Sequence, residues 1–284
     1  MIWLGLVMGG LLIALLAWWL LIKTEGVYLG RGVVIWLYDV YASRYDNIKQ
    51  FDSETEDYFL ARPLLQRLTH VRAPLILDVA SGTGRLPLAL FEQTTFQGRI
   101  VGLDLSRKML HIAAEKLAPH AQRVTLMHCP AEQLPFPDQT FDCVTCLEAL
   151  EFMMHPKDVL RELIRVVRPG GLLVLTNRQG ADAKMMPGKT FTHGELRHIL
   201  REELGLERVE IQVWQVDYRI VWATKPGHSD PSGPRALEEI WCCPRCGQIA
   251  LHRDGDDDSY GCGACGQRVK VGADGVIEGV KAKK

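Results

Sequence analysis

Leu77-Asp78-Val79-Ala80-Ser81-Gly82-Thr83-Gly84-Arg85 is the stretch that decides the fold. An apolar run over Leu75–Val79 enters it as a buried strand would, and a helical pattern over 86–93 leaves it. Glycines at Gly82 and Gly84 let the backbone turn sharply and approach a ligand closely. Working outward, strand and helix patterns alternate. A second strand is expected over 99–103, ending at Asp104, and Ser106 can cap a helix running to Leu117. Val124–His128 and Phe141–Cys146 read as the third and fourth strands. A helix over 159–167 is stopped by Pro169-Gly170-Gly171 before a strand over 172–176. Thr192 can cap a helix over 195–204 with Gly205 past its end. Two β-like runs, 209–216 and 218–224, suit a terminal antiparallel pair. The alternation predicts an α/β fold with a Rossmann-like, doubly wound, mostly parallel sheet and helices on both faces.

In such sheets ligands sit beyond the carboxyl ends of the strands. Asp104, about 20 residues past Gly84, is placed to accept hydrogen bonds from both hydroxyls of a ribose. A glycine turn alone is equally a tight βα connection. With the carboxylate it fits either S-adenosylmethionine (SAM) or a nicotinamide dinucleotide. Two features favour SAM. The dinucleotide fingerprint needs a third glycine where this chain has Pro87. SAM also has no pyrophosphate, so it needs no phosphate cradle at the helix N-terminus.

Four segments carry a family resemblance. They are Asp78-Val-Ala-Ser-Gly-Thr-Gly-Arg85, Gly102-Leu-Asp-Leu-Ser-Arg-Lys-Met-Leu110, Ala131-Glu-Gln-Leu-Pro-Phe-Pro-Asp-Gln-Thr-Phe-Asp142 and Leu160-Arg-Glu-Leu-Ile-Arg-Val-Val-Arg-Pro-Gly-Gly171. In this order and spacing they resemble class I SAM-dependent methyltransferases, in particular the type 11 domains that include ubiquinone/menaquinone-biosynthesis C-methyltransferases. The resemblance spans residues 38–224, and 38–46 is similar to the helix that closes over the cofactor. It implies that Asp78 and the backbone of Ala80, Ser81, Gly82, Thr83 and Gly84 hold the methionine part. Asp104 takes the ribose, Leu105 packs on adenine and Ala131 offers backbone groups to its edge. Cys146 and Leu147 line the methyl-transfer mouth. The chain departs from the pattern at Pro130, where many members carry an adenine-reading Asp, and at Phe152, where members often have His.

A sulfonium methyl is already activated, so alignment of nucleophile, methyl carbon and leaving sulfur can supply much of the rate. A carbon or oxygen nucleophile can also need a base. Glu148, Glu151 and His155, after the fourth strand, are the candidates, each also readable as structural or solvated. Cys143 and Cys146 have metal-like spacing, but a regular strand would turn them to opposite faces. Cys129 reads as packing.

Residues 1–22 carry no charged side chain and end at Lys23. About 20 apolar residues span a hydrocarbon core, and Trp3, Trp18 and Trp19 lie toward the two ends. The segment has neither the basic start nor the small-x-small cleavage site of a signal peptide. Lys23, Arg31, Arg44 and Lys49 follow it and no cation precedes it, which predicts a single-pass membrane anchor with the remaining chain in the cytoplasm.

Five of the eight cysteines crowd the C-terminus. Cys243-Pro-Arg-Cys246-Gly and Cys262-Gly-Ala-Cys265-Gly have the pairing and separation of a zinc ribbon. Four thiolates leave no open position, so a structural zinc is expected, with Cys242 spare. The organisation read here is an anchor over 1–23, a helical cap over 24–72, a SAM-binding domain over 73–225, a Pro/Gly/Ser-rich linker over 226–238 and the ribbon over 239–284.

A net charge of −1 gives no field that would gather nucleic acid. Asp254, Asp256, Asp257 and Asp258 on the ribbon also oppose phosphate, which Lys281, Lys283 and Lys284 only partly offset. The expectation is a membrane-anchored methyltransferase acting on a small or lipophilic acceptor. An RNA or protein methyltransferase recruiting through its ribbon, and a SAM-binding scaffold without turnover, are the alternatives.

Overall fold

The computed structural model describes residues 2–255 and 258–279. Asp256, Asp257, Lys281, Lys283 and Lys284, invoked above, lie outside the described residues, as does Met1. The main sheet contains β1 (Leu75–Val79), β2 (Arg99–Asp104), β3 (Val124–His128), β4 (Phe141–Cys146), β5 (Val167–Arg178), β6 (Glu207–Gln215), β7 (Tyr218–Thr224) and, late in the chain, β11 (Ile277–Glu278). Their order is β11-β3-β2-β1-β4-β5-β7-β6. β1 is parallel to both neighbours, with Leu77 opposite Val101 on one side and Val144 on the other. The order reverses at β1, which opens a crevice at the carboxyl ends of β1, β2 and β4.

Both faces are covered, so the central strands read as apolar runs rather than alternations. Ile76, Cys143 and Val174 face the helices Arg85–Phe91 and Arg107–Leu117. Leu77, Val144, Cys146 and Leu175 face the helix Pro156–Val166. Cys143 and Cys146 thus point to opposite faces. Each fully buried Leu or Val contributes roughly 1.5–3 kcal/mol. The helix Arg107–Leu117 starts where Ser106 accepts the Met109 N–H at 3.2 Å, and it buries Met109, Leu110, Ala113 and Leu117 on one stripe.

Pro169-Gly170-Gly171 differs from expectation. It lies inside β5, because the chain passes from the helix directly into a strand. Gly170 has φ +77, and a Cβ on Gly171 would fall 2.9 Å from the Arg168 carbonyl and 3.0 Å from that of Asp142. The register against β4 shifts between Phe141 and Cys143, so these residues form a bulge rather than a free turn.

The segment after β7 is stitched to the sheet. Asp142 and Arg168 form a buried ion pair at 2.6 Å; Asp142 also accepts the Ser232 N–H and Arg168 donates to the Ser229 carbonyl. Beyond it, β8 (Leu251–Arg253), β9 (Ser259–Cys262) and β10 (Arg268–Lys270) make an antiparallel sheet. Trp241 is buried edge-on to Tyr260, and Leu237, Ile240 and Trp241 share the apolar cluster of the main domain. β11 then pairs with β3, placing Glu278 beside His128.

At the other end, the helix Ile2–Lys23 is 22 residues long with a mean hydropathy of 2.3, and none of its most apolar window is buried. Its last turn touches the domain: the Trp19 indole donates to the Met185 carbonyl, and Lys23 pairs with Asp182 at 3.2 Å.

Candidate cofactor site and thiolate cluster

A cleft of about 800 Å3 opens at the carboxyl ends of the central strands. Ala80, Gly82, Asp104, Leu105, Ala131 and Leu147, all singled out from sequence, line it. Gly82 holds φ +53, and a Cβ there would meet no atom within 4 Å. The backbone at this point therefore faces open space. Asp104 accepts the Gly82 N–H at 2.8 Å through one oxygen and the Ser106 N–H at 2.7 Å through the other. Its remaining lone pairs are available to the cleft. Burial raises its pKa, and the N–H groups of Ser106 and Gly82 oppose that rise. Leu105 is steadied by its carbonyl, 3.1 Å from the His128 ring, and Met109 and Cys129 add apolar wall beside it.

Asp78, Ser81 and Thr83 line an adjoining cavity of about 370 Å3. Asp78 accepts the Thr145 hydroxyl at 2.6 Å. Burial pushes its pKa up to about 7, against the pull of that hydrogen bond. The Ser81 hydroxyl is buried with no partner among the described residues. A buried unpaired hydroxyl beside a carboxylate suits the polar end of a ligand such as SAM. Gly84 sits behind the loop. At φ +82 it caps the helix Arg85–Phe91, and a Cβ there would fall 2.9 Å from Leu117.

The segment 31–51 lies across the opening. Asp46 accepts the Thr83 hydroxyl and pairs with Lys116; Asp39 accepts the Ser106 hydroxyl at 2.5 Å; Arg31 pairs with Glu132 on the far wall. Tyr38 and Tyr45 close the side nearest β4. Apart from the resemblance at 38–46, the sequence offered no signal for these contacts. Arg31 and Glu132 stand 101 residues apart.

Glu148, Phe152 and Met153 line the cleft after β4. Glu148 has φ +50, a left-handed conformation rare for a residue with a side chain. The Thr176 hydroxyl accepts its N–H at 2.6 Å. Its carboxylate pairs with Arg85 at 2.5 Å and Lys49 at 2.7 Å, and Arg85 also grips Glu56. Burial alone would raise the Glu148 pKa, but Lys49 and Arg85 outweigh it and hold the group below the usual range. Glu151 is enclosed, pairs with Arg178 at 2.9 Å and accepts the Tyr218 hydroxyl at 2.6 Å. Burial raises its pKa against the pull of Arg178. His155 is exposed at the start of the helix Pro156–Val166, away from the cleft lining. Cys146, expected at the mouth, is fully buried in the core: it is still part of regular β4, and its side chain turns to the sheet face. The sequence reading thus brings Glu148 to the cleft and leaves Glu151, His155 and Cys146 outside its lining. Phe152, where a family His is common, packs edge-on to Tyr38 at 5.6 Å.

In the C-terminal module the sulfurs of Cys243, Cys246, Cys262 and Cys265 all lie within 4.8 Å of one another. The pairs 243–265 and 246–262 are each 3.7 Å apart. A tetrahedral zinc with bonds of about 2.3 Å sets its sulfurs roughly 3.8 Å apart, so the donor set fits that ion. Gly247 (φ +73) and Gly266 (φ +70) turn back after each pair and donate to the carbonyls of Cys243 and Cys262. Cys242 lies outside the cluster and donates its backbone N–H to Pro135.

Comparison with known proteins agrees with this geometry. Residues 77–175 match the family described as "Methyltransferase domain". The ubiquinone/menaquinone biosynthesis C-methyltransferase UbiE of Geobacter sulfurreducens is 35% identical over 136 residues, 47% of this chain and 53% of that protein. A demethylmenaquinone methyltransferase of Anoxybacillus flavithermus is 34% identical over 139 residues, 49% of this chain and 59% of its own. The chain therefore spans just over half the length of these relatives. A candidate SAM-dependent methyltransferase from Methanococcus maripaludis superposes with a TM-score of 0.53 at 18% identity, over 67% of this chain and 94% of its own. The fold is that of the class I methyltransferases. Residues 77–175 are similar to the methyltransferase domains of these proteins, and they lie between an N-terminal apolar helix and a four-cysteine module.

Proposed function

We propose that this chain is a SAM-dependent methyltransferase, tethered to a membrane by its N-terminal helix, that acts on a small or lipophilic acceptor. The observation that carries the reading is the cleft in which the Gly82 backbone and the Asp104 carboxylate meet inside the segment that matches methyltransferase domains. SAM, when bound, supplies a methyl carbon already activated by its sulfonium. Asp78 with the backbone from Ala80 to Gly84 would hold the methionine part. Asp104 would take the ribose, and Leu105, Met109 and Ala131 the adenine. Leu147, Glu148 and Phe152 would meet the acceptor. The apolar walls exclude water, and the positioned segment 31–51 supplies alignment, which this displacement chiefly needs. Glu148, held ionised by two cations, is a weak base; its ion pairs fix the strained turn after β4.

The relatives' names point to quinone-type acceptors, which reside in lipid. Tethering raises the effective concentration of enzyme near such substrates. The indole and ammonium contacts from Trp19 and Lys23 to the 182–185 segment favour a retained anchor over a cleaved leader. The cations after the helix favour a cytoplasmic domain. The thiolate cluster is read as a structural zinc site holding the C-terminal module against the sheet.

The test is transfer of labelled methyl from SAM by the full chain into separated lipid, RNA and protein pools from cells. Label in a lipid-soluble quinone supports the reading. Label in RNA or protein alone, or tight SAM binding without any transfer, contradicts it.

A further inference from the structure

A third cavity, about 880 Å3, lies beside the cofactor cleft, between the end of the N-terminal helix and the segment that covers the cleft. Leu21 and Ile22, from the last turn of the apolar helix, form one wall. Tyr41 and Ile48, both solvent-exposed, stand on the other. Tyr38 and Tyr45 line this groove and the cofactor cleft alike. Lys49 lines the groove and bonds Glu148, which lines the cleft, at 2.7 Å. Two phenol rings and one ion pair therefore stand between the cavities.

Polarity changes along the groove. Hydrocarbon from Leu21 and Ile22 lies at one side; the phenols, the Lys49–Glu148 pair and the Glu25 carboxylate, which accepts the Tyr38 hydroxyl at 3.0 Å, lie at the other. A lipid-borne quinone has this polarity, with an apolar chain joined to a polar ring. Trp36 and Val40 are also exposed on the helix Arg31–Tyr41, and they add an apolar surface of the kind that rests in a bilayer interface. A helix of 22 residues is long enough to span the hydrocarbon core.

We propose that this groove is the passage through which the apolar chain of a lipid-borne acceptor runs from the bilayer to the cofactor cleft. Tyr38, Tyr45 and the Lys49–Glu148 pair meet its polar ring. The occupant is one molecule, with its ring in the cleft and its chain along Tyr41, Ile48, Leu21 and Ile22. The inference rests on the membrane-tethered methyltransferase reading and specifies how that site selects its acceptor.

The test uses the full chain in phospholipid vesicles with two acceptors that share a ring: a demethylmenaquinol with a long prenyl chain, and the same ring with one prenyl unit. Tyr41→Asp and Ile48→Asp place a carboxylate at exposed positions on the groove wall, where folding tolerates it. The ratio of KM for the long-chain to the short-chain acceptor is expected to rise about tenfold in each variant. An unchanged ratio overturns the inference while leaving the methyltransferase reading intact. A benzophenone-bearing polyprenyl alcohol, crosslinked in the same vesicles, decides the case independently of turnover. Labelling of residues 38–49 that is lost in Ile48→Asp supports the passage. Labelling confined to residues 2–18, or unchanged in the variant, overturns it. Failure of the wild-type chain to methylate either acceptor sinks the quinone assignment instead, and the crosslinking result still decides whether the groove takes an apolar chain.

Discussion

Gly82 donates its backbone N–H to the Asp104 carboxylate across 2.8 Å, tying the first βα turn to the end of the second strand. This bond fixes the relative placement of the two ligand-facing elements before any ligand arrives. The rest of the site is arranged around it: Asp78 behind the turn, Leu105 and Met109 beside the carboxylate, and Glu148 across the opening.

If Asp78 holds the methionine part as proposed, cofactor affinity depends on pH. Burial raises its pKa to about 7, with the Thr145 hydroxyl pulling the other way. A carboxyl group raised in the folded state favours folding below its unfolded pKa, and that contribution is lost as pH rises through about 7. The unliganded protein should therefore lose stability between about pH 4 and pH 7 from this group. On the proposed role of Asp78, ligand binding has the opposite sign, because the ionised form is the one that would pair with the methionine ammonium. Affinity for S-adenosylhomocysteine should rise severalfold from pH 6 to pH 8, and Asp78→Asn should flatten the profile. Calorimetric titration across this range checks both.

Arg85 is the hub of a buried charge network. Its guanidinium holds Glu56 and Glu148, and all three side chains are about nine-tenths or more buried. Removing one partner strands the others, at about 3–5 kcal/mol. Arg85→Ala should lower the unfolding free energy extrapolated from urea titration by that amount and shift the midpoint down accordingly, although Lys49 still partners Glu148. A midpoint within experimental error of wild type would show that solvent already screens the network.

Much of this architecture was legible because buried strands announce themselves as apolar runs. β1, β3, β4 and β7 fall on the residues their apolar runs indicated, and Ser106 and Thr192 cap helices as short polar residues do. The glycine turn and Asp104 were legible because one strand–helix unit brings them together. Contacts between distant segments were not. Lys49 and Glu148 lie 99 residues apart, and nothing local to either marks the pair. β11 has only two residues, too short for a period, and its pairing with β3 depends on the whole ribbon being docked. Cys146 misled because family position names the strand end, while the pleat decides which way the side chain turns.

Zinc should be present at one ion per chain and should hold the module to the sheet. Arg107 pairs with Asp274 and Glu278, so loss of the ribbon fold also loosens the flank of the cofactor loop. Cys246→Ser should abolish stoichiometric zinc by elemental analysis, lower Tm by several degrees and expose residues 240–279 to protease. Metal binding supplies much of the folding free energy of so small a module. Retention of zinc and of protease resistance in the variant would remove the four-thiolate assignment.

The most direct measurement is calorimetric titration of the full chain and its Asp104→Ala variant with SAM, with NADH titrated in parallel. Two charge-assisted hydrogen bonds to the ribose, about 1.5–3 kcal/mol each, correspond to a loss of roughly a hundredfold or more in affinity. The predicted result is SAM binding at one site in the wild type, weakened at least that far in a variant whose circular dichroism is unchanged, and no heat from NADH. Equal SAM affinity in both proteins, or saturable binding of NADH in place of SAM, would contradict the account.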